Sequence, residues 1–256
     1  MLLFAQLPVT SIIATILIML FSMSIHEFGH AAMATYWGDD TPKRNGRLTL
    51  NPLVHINWIG FAMFVLIGFG ILGSVPVNPS RMRNPRWGSF WTSFAGPLTN
   101  LAVALAAALL LRLFFAEPTI GLQFFLNSDR VPLGSYQGLI PDTVMMVLVA
   151  IIFWNVLLFL FNLLPFFPID GWHMVLALLP GYWLRREQVP SFLRGFYAIS
   201  QFLQQPAYKW QQWAAASQMV LLILIMIGFV LPGFSILGRV IFAPAQQLWL
   251  RLIGIV

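Results

Sequence analysis

Four long apolar runs limit most strongly what this sequence can fold into. They cover residues 9–23, 90–116, 143–164 and 214–231. A helix needs about 20 predominantly apolar residues to cross a lipid bilayer, and each run, the first together with the residues that follow it, is long enough. The composition agrees, because 59% of the residues are hydrophobic and 9% are charged, far outside the range of soluble domains. We therefore expect an all-α polytopic membrane protein.

The basic residues predict the topology. The loops at residues 38–56 and 78–87 each carry three of them, and basic loops face the cytoplasm. The stretch between these loops, residues 58–75, is apolar and contains four glycines, so it is expected to enter the membrane and return as a re-entrant element. Residues 234–256 either span the membrane or lie flat on it. The total expected is five to six transmembrane helices.

The net charge and the absence of cysteine limit the ligands that the protein can bind and the side chains that can hold a metal ion. The net charge of +6 comes from short basic clusters between apolar runs, which is typical of residues facing an anionic leaflet rather than nucleic acid. Without cysteine, the protein has no thiol nucleophile and no thiolate metal ligand. Any metal site must therefore use His, Asp or Glu. The expected location is a bacterial inner membrane, with a plastid membrane as the alternative.

The motif HEFGH, residues 26–30, follows the first apolar run. Residues four apart share one face of a helix, so His26 and His30 present their imidazoles to one point. Glu27 lies one step around the helix, where it reaches a water held by a shared cation without binding the cation. A purely structural histidine pair is the alternative, but an ionised glutamate at membrane depth costs about 2.5–3.5 kcal/mol on insertion scales. The motif therefore predicts a zinc hydrolase centre.

A catalytic zinc site takes three protein ligands, so a third ligand must come from another part of the sequence. Among the remaining acidic residues, only Asp170 has apolar surroundings, in the segment NLLPFFPIDGW at residues 162–172. Two prolines and a glycine break the helix there, and a broken helix at membrane depth indicates a site. His55 and His173 are rival ligands, with support of the ligands or contact with the substrate as their alternative roles.

Three motifs resemble those of the site-2 protease family of intramembrane zinc metalloproteases. They are HEFGH at 26–30, FAGPLTN at 94–100 and NLLPFFPIDG at 162–171. The resemblance implies one zinc ion per protein molecule, bound by His26, His30 and Asp170. It also implies that Glu27 is the catalytic base and that Asn162 contacts the substrate backbone or the oxyanion.

The motif and the resemblance together predict hydrolysis of peptide bonds in or near the transmembrane helices of membrane-protein substrates. Such helices hide their carbonyls in i to i−4 hydrogen bonds, so the substrate must unwind. The segment GRLTLN, residues 46–51, alternates polar and apolar side chains and predicts a small β-hairpin that offers an edge to the unwound substrate, with an ordinary interfacial loop as the alternative. Asn100 is expected to link helices by hydrogen bonds.

Two other function classes stay open at this point. A non-catalytic homologue that binds membrane clients would not need Glu27, and neither would a metal- or proton-coupled transporter. Residues 1–184 are expected to form the metalloprotease core, and residues 185–256 an interfacial stretch followed by a C-terminal transmembrane region. The sequence identifies no regulatory partner.

Overall fold

The computed structural model describes residues 8–67, 73–127, 130–131, 133–178, 190–195, 197, 207–230 and 236–254. These residues form α-helices and short helical turns and contain no strand. The α-helices are α1 (Val9–Trp37), α2 (Thr41–Arg44), α3 (Pro52–His55), α4 (Trp58–Ile67), α5 (Pro85–Phe114), α6 (Pro118–Asn127), α7 (Leu139–Asn162), α8 (Asp170–Leu178), α9 (Ala207–Val230) and α10 (Ala243–Ile253).

Local signals fix the ends of the two long helices that carry most of the site. Helix α1 ends at Gly38, whose φ of 107° is accessible to glycine and whose N–H caps the carbonyls of the last turn. Helix α5 begins after Asn84, whose side chain accepts a hydrogen bond from the N–H of Trp87. Pro97 lies inside α5. These ends place the HEFGH and FAGPLTN motifs within helices rather than at their ends.

Three helices among the described residues are long and apolar enough to cross a membrane: α1, α5 and α7. Helix α9 contains a shorter apolar stretch, Ala216–Gly228. The protein is therefore an α-helical membrane protein, and the larger number of five to six crossings stays a prediction. Residues 68–72, in the middle of the predicted re-entrant element, lie outside the described residues, as do 188–189, 196 and 198–206 of the predicted interfacial stretch at 188–212.

Helix α5 is at the centre of the bundle and packs against α1, α7 and α8. The largest apolar cluster lies where α1, α5 and α7 meet α6 and α10. Helix α6 was not predicted, because residues 117–141 have the composition of an external loop; it packs on α7 through Gly121, where an added Cβ would lie 2.6 Å from Cγ of Met145. The core thus sits on one side of α5 and holds that helix in place.

Two arginines of α5 bind the C-terminal carbonyls of neighbouring helices. Arg86, near the start of α5, donates to the carbonyls of Ala177 and Leu178 at the end of α8. Arg112, near its end, donates to the carbonyls of Arg251 and Leu252 in α10. A guanidinium at a helix C-terminus satisfies free carbonyls and complements the helix dipole. Arg86 therefore ties α8 to the helix at the centre of the bundle.

The β-hairpin expected after the first helix is not seen in the described residues. Residues 46–51 have no regular structure, because local side-chain bonds use the backbone groups that a strand would need. The hydroxyl of Thr49 accepts from the N–H of Asn51, and Asn51 in turn caps α3. The carbonyl of Thr49 is bound by Nε2 of His55. Such bonds compete with regular structure.

Candidate metal centre

Helices α1 and α8 bring His26 and His30, which are four residues apart, together with Asp170, which lies far from them in the sequence. The Nε2 atoms of His26 and His30 lie 3.0 Å apart. Oδ2 of Asp170 lies 3.0 Å from Nε2 of His26 and 3.3 Å from Nε2 of His30. Among the described residues, these three form the group of His, Asp and Glu side chains able to hold a metal ion.

The hydrogen bond of the second ring nitrogen of each histidine favours the tautomer that carries its proton on Nδ1. Nδ1 of His26 donates to Oδ1 of Asn100 at 2.6 Å. Nδ1 of His30 donates to the carbonyl of Thr92, also at 2.6 Å. In a neutral imidazole whose Nδ1 carries the proton, Nε2 has a free lone pair. Both lone pairs therefore point into the space that they share with Asp170.

These residues fit a bound zinc ion. With both imidazoles neutral and protonated at Nδ1, two lone pairs and a carboxylate oxygen would face one another, and a cation among them would relieve their repulsion. Oδ2 of Asp170 is buried without a hydrogen-bond partner in the described part of the protein. Tetrahedral zinc with bonds of about 2.0–2.1 Å separates its ligand atoms by about 3.3 Å, close to the 3.0–3.3 Å found here.

Asp170 is positioned by the broken segment between α7 and α8. The segment turns twice, with hydrogen bonds from Ile169 N to Phe166 O and from Trp172 N to Ile169 O. Asp170 is then the first residue of α8. Gly171 lies so close to the carbonyls of Leu163 and Leu164 that a Cβ would overlap both. Glycine at position 171 therefore lets α8 start directly against the end of α7.

Gly96 provides the space for the imidazoles. A Cβ at this position of α5 would lie 2.7 Å from Nε2 of His26 and would overlap Nε2 of His30. Gly29 allows a similarly close approach from the side of α1, since a Cβ there would lie 2.9 Å from the carbonyl of Ala95 in α5. The two glycines let α1 and α5 approach closely at the ligand atoms.

Asn100 links helices by hydrogen bonds, as expected, and one of these bonds is to His26, a candidate metal ligand. Besides accepting from His26, it donates to Oδ1 of Asn155 at 2.9 Å and to the carbonyl of Ser22. Asn155 donates to the hydroxyl of Ser22 at 2.9 Å. This buried network joins α1, α5 and α7. The roles of Asn155 and Ser22 were not predicted from the sequence. Both are polar residues inside apolar helices, and that position was the signal that could have identified them.

Glu27 is 4% exposed, and its Oε2 has no hydrogen-bond partner within the described residues. A Cβ on Gly73 would lie 3.3 Å from its Oε1 and 2.6 Å from the carbonyl of His55. The loop residue Gly73 thus closes over the carboxylate and lets His55 approach. Glu27 is therefore an uncommitted acid beside the three converging ligand atoms.

The two rival histidines lie outside the group of three. His55 is buried and binds the carbonyl of Thr49 through Nε2 at 2.7 Å. His173 lines the large cavity near the site, and its ring lies 6.3 Å from that of Phe167. Neither histidine shares in the cluster formed by His26, His30 and Asp170.

A cavity of about 1140 Å³ opens in front of the three ligand atoms. Its walls come from α1, α4, α5, α7, α8 and α9 and are mostly apolar, and they include Glu27. Asn162 also lines this cavity, while its Nδ2 donates to the carbonyl of Leu158. The volume exceeds what a drug-sized ligand requires and has room for a segment of polypeptide.

Comparison with known proteins supports the same chemistry. Peptidase family M50 matches residues 14–203. Two relatives share the printed name "Putative zinc metalloprotease". YwhC of Bacillus subtilis (strain 168) is 32% identical over 211 residues, which cover 82% of this protein and 89% of YwhC. Rip2 of Mycolicibacterium smegmatis (strain ATCC 700084 / mc(2)155) is 36% identical over 101 residues, which cover 38% of this protein and 39% of Rip2.

No solved structure matches the protein. The family match extends over well more than half of the sequence, and YwhC matches along most of its own length. The apolar helices α1, α5 and α7 agree with a membrane location. The protein therefore belongs to peptidase family M50, the site-2 protease family, and is a zinc metalloprotease of the membrane.

Proposed function

We propose that this protein is an intramembrane endopeptidase that binds one zinc ion through His26, His30 and Asp170. The observation that carries the proposal is the convergence of the Nε2 atoms of two histidines and one carboxylate oxygen within 3.3 Å of one another. The convergence lies between apolar helices, at the wall of a cavity large enough for a peptide. The family membership supports zinc as the metal.

Glu27 is the proposed general acid and base. When bound, zinc polarises the scissile carbonyl and acidifies the attacking water. Glu27 accepts the proton of that water at a carboxylate oxygen and later donates it to the leaving amine nitrogen. Its burial and its unpartnered Oε2 leave the carboxylate free for both transfers. Asn162, on the cavity wall, is proposed to contact the substrate backbone or the oxyanion.

The proposed substrates are transmembrane helices of other proteins, which unwind locally in the cavity before cleavage. In this proposal the ligand residues lie toward the cytoplasmic side of a bacterial inner membrane, which the basic loops at residues 38–56 and 78–87 support. Residues 58–75 form the re-entrant element in this proposal. Residues 1–184 are the protease core, and residues 185–256 supply the interfacial stretch and the C-terminal transmembrane region.

The test compares the wild-type protein with Glu27→Gln in lipid vesicles that contain a single-pass substrate. The amide cannot accept the proton, so cleavage should fall by about 10²–10⁴-fold, while the zinc content stays at one ion per molecule. Glu117→Gln is the matched control, because Glu117 is exposed and remote from the three ligand atoms. Its cleavage rate should equal that of the wild type.

Three results would reject the proposal. Equal cleavage by the wild type and Glu27→Gln would remove Glu27 from the mechanism. Zinc flux across the vesicles without any cleavage would instead support a transporter. A wild-type protein that binds the substrate and zinc but never cleaves would be a non-catalytic homologue.

A further inference from the structure

Two residues on one face of α5 line the cavity and carry hydroxyl groups without a partner. Oγ of Ser89 and Oγ1 of Thr92 are buried and make no hydrogen bond within the described residues. The two residues are three apart in the helix, so their side chains lie on one face, about 4.5 Å apart along the axis. Both line the same cavity as the three ligand residues.

Other hydroxyls in the helices behave differently. Those of Ser24, Thr35 and Thr143 each donate to the carbonyl four residues earlier, at 2.6–2.7 Å. This is the usual way for a helix to satisfy a serine or threonine in apolar surroundings. Ser89 and Thr92 have the same option in α5 and do not use it. Because both residues line the cavity, a rotation about χ1 would present these unpartnered hydroxyls to a molecule bound there.

The position of Thr92 relates this pair to the metal centre. Its carbonyl accepts the Nδ1 proton of His30 at 2.6 Å, so the residue is fixed beside a ligand imidazole. Thr92 is 4% exposed, and it is among the residues that line the cavity. Ser89 extends the same face by one turn toward the start of α5. Together they form a polar ledge, residues Ser89 and Thr92, that leads away from the ligand atoms.

The chemistry of the ledge selects its ligand. Two neutral hydroxyls, each able to donate and to accept, match the backbone carbonyl and N–H groups of a peptide. A transmembrane helix that unwinds in an apolar cavity loses i to i−4 bonds and leaves such groups unpaired. A ledge of hydroxyls would satisfy them without regard to the substrate side chains. No charged group takes part, so the sequence of the substrate is not recognised there.

We propose that Ser89 and Thr92 bind the backbone of the unwound substrate segment next to the scissile bond. The inference rests on the proposed proteolytic function and adds a substrate-binding site to it. Thr92 and Ser89 are binding residues in this view, and neither takes part in proton transfer. Their loss should weaken substrate binding and leave the zinc ion in place.

The experiment uses the full-length protein in lipid vesicles. Thr92→Val removes the hydroxyl and keeps the shape, Ser89→Ala removes the other, and Thr92→Ser restores a hydroxyl at position 92. Each is also made in the Glu27→Gln background, where dissociation of a labelled transmembrane peptide is measured without cleavage. Thr143→Val is the control, because the hydroxyl of Thr143 is already satisfied within α7.

The expected results separate binding from chemistry. Thr92→Val and Ser89→Ala should each raise the dissociation constant of the peptide, and KM, by about 3- to 10-fold, the size expected for one neutral hydrogen bond. kcat and the zinc content should stay near wild type. Thr92→Ser and Thr143→Val should bind the peptide like the wild type. If Thr92→Val does not fold, Ser89→Ala carries the same test.

Three outcomes would contradict the proposal that Ser89 and Thr92 bind the substrate backbone. Unchanged peptide binding in both Thr92→Val and Ser89→Ala would show that the hydroxyls do not contact the substrate. Loss of zinc from Thr92→Val would assign its hydroxyl to the metal centre. A fall in kcat at constant KM would assign it to the chemical step. These outcomes differ from failure of the proposed function, in which the wild-type protein itself cleaves nothing.

Discussion

The two halves of the α1, α5 and α7 bundle are built differently. The site half comprises residues 22–30 of α1, residues 92–100 of α5 and Asn155 of α7. Hydrogen bonds join several of its buried polar groups. In the apolar half, Leu111, Met145 and Ile152 belong to a cluster of buried aliphatic and aromatic side chains. Polar contacts fix directions, whereas apolar contacts supply most of the stability. Function and stability should therefore respond to different substitutions.

The largest expected effect separates two aspartates. Asp170→Ala removes a ligand candidate, so zinc affinity and cleavage should fall by more than the about 10–100-fold that the loss of an outer partner costs. Asp142→Ala removes a buried carboxylate that accepts from the N–H groups of Gly134, Tyr136 and Gln137. It should cost on the order of 3 kcal/mol of stability and leave the zinc affinity of the folded protein unchanged. Zinc analysis and thermal unfolding in detergent measure both.

The predicted difference between these two aspartates would be wrong if Asp142→Ala lost zinc and Asp170→Ala kept it. Zinc loss from folded Asp142→Ala would show that the metal site depends on a residue remote from it, and full zinc content in Asp170→Ala would show that Asp170 is not a ligand.

Two glycines give the next contrast. Gly96→Ala would press a methyl group against the Nε2 atoms of both histidines, so the metal should be lost even if the protein folds. Gly121→Ala meets mainly the Met145 side chain, at 2.6 Å, and a flexible methionine can move. It should lower the unfolding temperature and keep the zinc. A zinc titration of each folded variant decides, and equal zinc affinity in the two would contradict the prediction.

Asn100→Ala tests the hydrogen-bonded network behind His26. Without the acceptor at Nδ1, the imidazole loses its fixed tautomer and direction, so zinc affinity should fall by about 10–100-fold. Leu111→Ala, in the apolar half, should cost about 2–5 kcal/mol of stability through the cavity that it leaves. Its zinc affinity, measured below the unfolding temperature, should equal that of the wild type. A larger zinc defect in Leu111→Ala than in Asn100→Ala would contradict the division.

The smallest effect lies outside both halves, at Asp40. Slight desolvation acts to raise the pKa of this carboxyl, but hydrogen bonds from Arg81 and Arg44 outweigh it, and the pKa lies below its ordinary value. The contribution to stability is therefore present above the ordinary carboxyl pKa and disappears as the pH falls through the lowered value. Asp40→Asn should lower the unfolding temperature slightly at about pH 7 and by less at about pH 3. An equal difference at both pH values would contradict the assignment.

Much of the site was predictable because its first part is local. The spacing of His26 and His30 alone places both imidazoles on one face of α1. Asp170 required elimination among the acidic residues, because its distance from α1 depends on how α5 and α8 pack. Asn155 was not found, since its role appears only when α7 lies beside α1 and α5.

The loop after α1 was the weaker prediction. The alternation in residues 46–51 indicates a strand only if the backbone groups are free to pair. Asn51 instead caps the short helix α3, and His55 binds the carbonyl of Thr49. Alternation carries no information about these side-chain bonds, so the same pattern fits a strand and a capped turn.

One consequence follows from the position of His26, Glu27 and His30 within a single uninterrupted helix of 29 residues. A helical backbone holds the Cα atoms of the acid and the two histidines at a constant spacing, whatever lipid or substrate surrounds the protein. We therefore expect control of this protease to act on the entry of a substrate into the cavity or on the placement of Asp170 at the start of α8.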